Sequence, residues 1–241
     1  MRLAQILYAQ GFGTRRDCAG LIALGRVAVA GEAVDDPDAE FATAGLVFEV
    51  DGIAWPFHER ALILLHKPAG VECSRKPRHH PIVLTLLHAP LRTRGVQPVG
   101  RLDEDTTGLL VLTDDGALIH RLTSPKHHVP KVYEVGTKHP VDALQLDRLR
   151  SGVVLDDDPT PVRAAACEAT GERALRLTLT EGKYHQVKRM VAAAGNRVDT
   201  LHRSAFGALT LGDLAPGQWR WVGAAERSAL TATSAPPAAS R

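Results

Sequence analysis

The strand-like apolar runs of this chain are short. Ala61–Leu65, Leu109–Leu112, Val132–Val135 and Leu175–Thr180 span only four to six residues each, and turn-forming Gly, Pro and Asp residues separate them. Runs of that length between turn signals read as β-strands. None approaches the roughly 20 apolar residues that a membrane-crossing helix needs. Helical spacing occurs between them, as at Leu3, Ile6, Leu7 and Gln10, and again at Val187, Met190 and Val191. Strands interleaved with short amphipathic helices predict an α+β protein with no membrane partner.

The chain has 241 residues, enough for one large domain or two small ones at roughly 100–200 residues each. Residues 1–56 read as a small α+β module. Its first helix ends at Gly11, and Thr14 is placed to cap a second helix carrying Cys18, Leu21, Ile22 and Leu24. Strand pairs follow around Gly31 and around Asp51-Gly52. Residues 61–230 read as a second domain, richer in strands, with helices expected over 117–122, 141–150 and 184–194. The Ser/Thr/Ala/Pro-rich segment 231–241 is expected to be a disordered tail.

The formal net charge of +2 hides an uneven distribution. Residues 1–60 hold five Arg against nine acidic residues. Lys67–Arg101 holds seven basic residues against one acidic, and Lys183–Arg203 five against one. Two dense basic segments in an otherwise balanced chain point to a polyanion partner, with solvated surface charge as the alternative.

Three stretches could carry chemistry. Gly100-Arg101-Leu102-Asp103-Glu104-Asp105-Thr106-Thr107-Gly108 places carboxylates beside an Arg in a glycine-bounded loop that enters an apolar strand. Such a loop can hold a carboxylate ionised and positioned, or it can be a structural Arg–Asp pair. Glu181–Met190 sets Lys183, His185, Gln186, Lys188 and Arg189 around a helix start, where backbone N–H groups favour anions; a solvated amphipathic face is the alternative. Lys131-Val132-Tyr133 follows a basic loop, and Tyr133 is either a stacking platform for a base or a core aromatic.

Other classes lack their signatures. Cys18, Cys73 and Cys167 form no CxxC, which argues against a disulfide framework or a zinc module and fits a reducing cytoplasm. Met1–Gly13 lacks the features of a secretory signal. The eleven His include no HxxxH or HExxH, and neither GxxxxGK[ST], GxGxxG nor GxSxG occurs.

Taken together, His66-Lys67-Pro68-Ala69-Gly70, Gly100–Gly108 as GRLDxDTxGL, Lys131-Val132-Tyr133 and EGKYHQVKRM at Glu181–Met190 resemble the RsuA-type pseudouridine synthases. Arg2-Leu3, Gly11, Thr14-Arg15 and Leu21–Val27 resemble an S4 module. The likeness covers about residues 1–225. It implies an α+β fold in which a small S4-like RNA-binding module precedes a catalytic domain with a mainly antiparallel mixed sheet flanked by helices.

The resemblance also implies roles. Asp103 falls on the catalytic aspartate, Tyr133 on the tyrosine that stacks on the target base, and Lys188 on the basic residue paired with the aspartate. RNA contacts are implied for Arg15, Arg16 and Arg26 in the first module. In the second domain they are implied for Lys67, Arg75, Lys76, Arg78, Arg101, Lys131, Lys183, His185, Gln186, Arg189 and Arg203. The reaction implied is isomerisation of uridine in ribosomal RNA, by N1–C1′ cleavage, base rotation and rejoining through C5. No cofactor or metal is implied. EGKYHQVKRM, His127-His128 and Leu201-His202-Arg203 look most like the small-subunit enzyme, which acts on uridine 516 of 16S rRNA, so the expected partner is 16S rRNA in small-subunit precursor particles. A 23S rRNA enzyme and a non-catalytic ribosome-assembly factor are the alternatives. The protein is expected to be a cytoplasmic monomer. The first module departs from the family pattern in being acidic, and Ser204–Gly207 stands where relatives usually carry another basic residue.

Overall fold

A computed structural model describes residues 1–74 and 79–233. The chain forms two compact units. One comprises Met1–Ala61 together with Leu84–Gln97, and the other comprises Leu62–Val83 with the chain from Pro98 onward.

In the first unit, helices Leu3–Gln10 and Arg15–Ala23 precede a sheet of Glu32–Ala33, Val27–Val29, Val47–Val50 and Ile53–Pro56, in that order. Leu3, Ile6, Leu7 and Gln10 are buried, as their spacing predicts. Thr14 caps the second helix in a reciprocal box with Asp17. The sequence pattern did not show that a segment from mid-chain, Leu84–Gln97 with its helix Ala89–Thr93, packs into this unit. Two local interactions explain it. Gly11 has φ 89°, and a Cβ there would lie 2.1 Å from the Pro90 carbonyl oxygen, so only glycine allows the approach. Arg94 donates to Gln10 Oε1 at 2.7 Å and to the His58 carbonyl at 2.9 Å, which satisfies the buried Gln10 amide.

The second unit is built on a mixed sheet. Its strands run Ala166–Gly171, Ala174–Leu179, Lys131–Thr137, Val198–Phe206, Thr107–Thr113, Leu62–Lys67 and Trp219–Trp221. Val198–Phe206 pairs parallel with Thr107–Thr113, and the other neighbours on this path are antiparallel. The expected mainly antiparallel sheet flanked by helices is therefore what forms. A core of Leu62, Leu64, Leu109, Val111, Leu118, Leu122, Phe206 and Leu209 anchors the neighbouring strands Leu62–Lys67 and Thr107–Thr113 and helix Gly116–Thr123. Helix Gln186–Ala193 buries Val187, Met190 and Val191. A hairpin of Val153–Leu155 and Asp158–Val162, absent from the sequence reading, lies between helix Ala143–Ser151 and strand Ala166–Gly171. Helix Ala224–Thr233 runs into the segment expected to be a disordered tail. No helix among the described residues is long and apolar enough to cross a membrane.

Candidate active site

The Gly100–Gly108 loop lies immediately before the buried strand, and the structure shows how it is held. Lys67, at the end of strand Leu62–Lys67, is fully buried. Its ammonium donates to the carbonyls of Pro68 (3.0 Å), Glu104 (2.9 Å) and Thr106 (2.9 Å). A buried charge is tolerable only when its N–H groups are met in this way. Burial still pushes the Lys67 ammonium below its ordinary value, against the pull of nearby acidic groups. Thr106 N–H closes a turn onto the Asp103 carbonyl at 3.2 Å. Gly108 completes the clamp. It has φ 108°, and a Cβ would lie 2.3 Å from the Arg203 carbonyl oxygen.

This corrects the expectation for Lys67. The residue is a structural cation inside the loop and has no N–H left for a phosphate.

The opposing loop is stapled by Gln186. Its Oε1 accepts from the Lys183 backbone N–H at 2.7 Å, and its Nε2 donates to Glu181 at 2.8 Å. Gln186 is itself buried. Both ends of its amide help to shape the loop, and the residue also lines the cleft described below. His185 follows with φ 45°, a conformation rare for a side-chain-bearing residue, directly before helix Gln186–Ala193.

The two loops meet at Asp103. His185 Nε2 lies 3.3 Å from Asp103 Oδ1, and Lys188 Nζ lies 3.3 Å from Oδ2. Lys188 also donates to Asp105 Oδ1 and Oδ2 at 2.6 and 2.8 Å. Burial alone would lower the Lys188 ammonium, but the hydrogen bond to Asp105 and the charges of Asp103 and Asp105 outweigh it and raise it. For Asp105, burial acts upward, and the Lys188 hydrogen bond and charge hold the carboxyl below its ordinary value.

Asp103 borders a cleft of about 590 Å³. Arg101, Lys131, Tyr133, Lys183, His185 and Arg203 also line it. Tyr133 stands opposite Leu177 and Arg203 in register, with its ring almost wholly buried. Arg203 is a wall residue, only 2% exposed, whose Nε donates to the Leu109 carbonyl at 2.8 Å. Arg101 is exposed and has no hydrogen-bond or ion-pair partner among the described residues.

The remaining candidates are dispersed or engaged. Lys183 pairs with Asp158 at 2.5 Å, and Arg189 pairs with Asp157 and donates to the Tyr184 carbonyl. In the first unit, Arg26 grips Asp51 through two hydrogen bonds, Arg15 lies over the Tyr8 ring, and Arg16 is exposed. Arg75, Lys76 and Arg78 lie outside the described residues. Sequence reasoning passed over Tyr184 and Glu181 as site residues. Tyr184 is exposed at the cleft and stacks on His185 with ring centroids 3.8 Å apart, and Glu181 lines the same cleft. Both sit within EGKYHQ, so the motif carried the signal and the listing of basic residues alone missed it.

A model of the RNA pseudouridylate synthase family matches residues 61–193, and a model of the S4 domain matches residues 1–40. The ribosomal small subunit pseudouridine synthase A of Escherichia coli (strain K12) is 40% identical over 223 residues, covering 91% of this chain and 95% of that protein. The chain belongs to the RsuA-type pseudouridine synthases. The enzyme of the same description from Vibrio cholerae is 38% identical over 228 residues, covering 92% and 96%. A crystal structure of a pseudouridylate synthase, 33% identical, matches with a TM-score of 0.68 over 95% of this chain and 99% of that one. This synthase is therefore an isomerase acting on RNA, with an S4 module ahead of its catalytic domain.

Proposed function

We propose that the synthase converts a uridine of 16S ribosomal RNA, the one corresponding to uridine 516, into pseudouridine, acting in the cytoplasm on small-subunit precursor particles. The observation that carries the reading is the Asp103 carboxylate, held between His185 and Lys188 at 3.3 Å each on the edge of a cleft that also contains Tyr133. Two relatives at 38–40% identity, aligned over more than nine-tenths of the chain, are named as small-subunit enzymes, which supports the choice of RNA.

A target base cannot rotate while stacked, so the uridine enters the cleft flipped out of its RNA. That costs a few kcal/mol, which stacking on Tyr133 and phosphate contacts offset. Asp103 meets the ribose as nucleophile or base while the N1–C1′ bond breaks. Lys188 positions Asp103 and Asp105 together. The freed uracil turns, C5 bonds to C1′, the C5 proton leaves, and N1 takes up a proton. Arg101, which has no hydrogen-bond or ion-pair partner among the described residues, contacts the RNA backbone beside the cleft.

The test is tritium release from [5-³H]uridine-labelled 16S and 23S rRNA and from small-subunit particles, followed by mapping of the product. Release from the 16S substrates at one site is the expected result. Release only from 23S rRNA overturns the choice of RNA, and none from any substrate overturns the reading.

A further inference from the structure

The wall of the cleft contains two cations around one phenyl ring. Lys131 Nζ lies 5.6 Å from the Phe206 ring centroid, and the Arg203 guanidinium carbon lies 5.3 Å from the same centroid. Lys131 is two residues from Tyr133 on one strand, so the two side chains project to the same face, and both line the cleft. The Lys131 ammonium makes one hydrogen bond among the described residues, to the Val129 carbonyl at 2.9 Å. An ammonium has three N–H groups to satisfy. Lys67, by contrast, has all three satisfied by carbonyls.

We propose that the Lys131 amine is the base that removes the C5 proton of the rotated uracil. The proposal rests on the reading of this cleft as the uridine site and adds to it the residue for a step that every route to pseudouridine requires. Once C5 has bonded to C1′, C5 carries both the sugar and its original hydrogen, and N1 is doubly bonded to C6. The amine lone pair takes the C5 proton, and the C–H electron pair becomes the C5=C6 double bond. The N1=C6 π pair moves onto N1, which accepts a proton from the lysine ammonium. One proton leaves C5 and one arrives at N1, so lysine ends as it began. Two of the three ammonium protons come from solvent, so label from C5 passes largely to water.

The surroundings suit an amine that must be free to accept a proton. Burial and then the charge of Arg203, from strand Val198–Phe206, push the Lys131 ammonium down to about 8, and Glu181, from the loop after strand Ala174–Leu179, pulls it up. On its own strand the titratable residues are Tyr133, on the same face, and Glu134, on the opposite one. A base poised near the working pH transfers protons well.

The experiment uses the full chain and 16S rRNA carrying either protium or deuterium at C5 of uridine. It compares single-turnover rates for wild type, Lys131→Arg, Lys131→Met, Tyr133→Phe and Asp103→Asn. Lys131→Arg keeps the charge and much of the volume but has no lone pair to offer near neutral pH. Both Lys131 variants are expected to bind RNA and to form pseudouridine ~10²–10⁴-fold more slowly. They are also expected to show an isotope effect at C5 that wild type, limited by an earlier step, lacks. Asp103→Asn, blocked before C5 bonds, shows no such isotope effect. A Lys131→Arg rate within about tenfold of wild type, below the usual range for a lost base, overturns the assignment. So does an isotope effect that appears in Tyr133→Phe and in neither Lys131 variant. If wild type forms no pseudouridine, the cleft reading itself fails; if it does and the Lys131 variants behave normally, only the base is wrong.

Discussion

The two compact units use their cations differently. In the first, Arg2 pairs with Asp38, Arg26 with Asp51, and Arg94 with Gln10 and backbone carbonyls, while Arg15 and Arg16 make no hydrogen bond or ion pair with their side chains among the described residues. Its cavity, about 500 Å³, has Phe12, Leu21, Ile53 and Trp55 in its wall. In the second unit Arg101, Lys131, Lys183 and Arg203 line a cleft of similar size together with Asp103, Glu104 and Glu181, and Lys67 and Arg203 are held by backbone carbonyls rather than offered to solvent. Counting charges along a sequence cannot separate these cases. A cation closed onto its own carboxylate presents little field to a distant phosphate, whereas an unpartnered one presents its full charge.

The sharpest test of that contrast is the carboxylate around which the second unit is arranged. Asp103→Asn keeps the shape of the loop and removes the charge that His185 and Lys188 face. Pseudouridine formation is expected to fall by more than ~100-fold while RNA binding stays largely intact. Substantial residual turnover by the purified variant would mean that the cleft is built around some other group.

Next in size is the buried lysine. Lys67→Met fills the same space but leaves the Pro68, Glu104 and Thr106 carbonyls without their shared donor. An unsatisfied buried polar group costs roughly 1–3 kcal/mol, so urea unfolding is expected to show a loss of at least that size. The rate should drop with it because Asp103 loses its support, while affinity for RNA stays near wild type. A variant of wild-type stability and weakened RNA binding would restore Lys67 to the RNA surface.

How far the sequence reveals all this depends on whether a residue's role is local. Helices Leu3–Gln10 and Gln186–Ala193 are legible because their buried faces repeat every three to four residues. The juxtaposition of Asp103 and Lys188, 85 residues apart, is not visible in any spacing and was reached through resemblance to a family. Lysine and glutamine usually face solvent, so nothing in the sequence marks Lys67 and Gln186 as buried; the three carbonyls around the Lys67 ammonium show it for one, and the Lys183 N–H and Glu181 carboxylate held by the Gln186 amide show it for the other. The Leu84–Gln97 segment was missed for a similar reason. What ties it to the first unit is the close approach at Gly11 and the Arg94 hydrogen bonds, and neither leaves a periodic trace.

Smaller effects concern Tyr133. If its buried ring is the stacking platform, Tyr133→Phe keeps RNA affinity and Tyr133→Ala weakens it by ~1–3 kcal/mol, as titrations with labelled RNA would show. Equal binding by both variants would leave the ring a wall residue like Arg203.

The smallest expected effect bears most directly on the contrast between the units. Counterion release makes RNA binding fall with salt, and on single strands each phosphate neutralised contributes about 0.7 to the log–log slope. Arg101 has no partner among the described residues and lines the cleft, so Arg101→Ala is expected to flatten the slope by about that amount. Arg26 donates to Asp51 at 2.7 and 2.5 Å. That bidentate grip raises the guanidinium and holds the Asp51 carboxyl low, and the closed pair is nearly neutral from outside. Arg26→Ala should therefore leave the slope unchanged, since an arginine already matched to a carboxylate releases few counterions when RNA arrives. Asp51→Asn makes the complementary case: it frees Arg26, and a slope that then steepens would show that the pairing withholds the cation. Should Arg26→Ala flatten the slope as much as Arg101→Ala, the pair opens on contact with RNA, and cations in the two units would be equivalent after all.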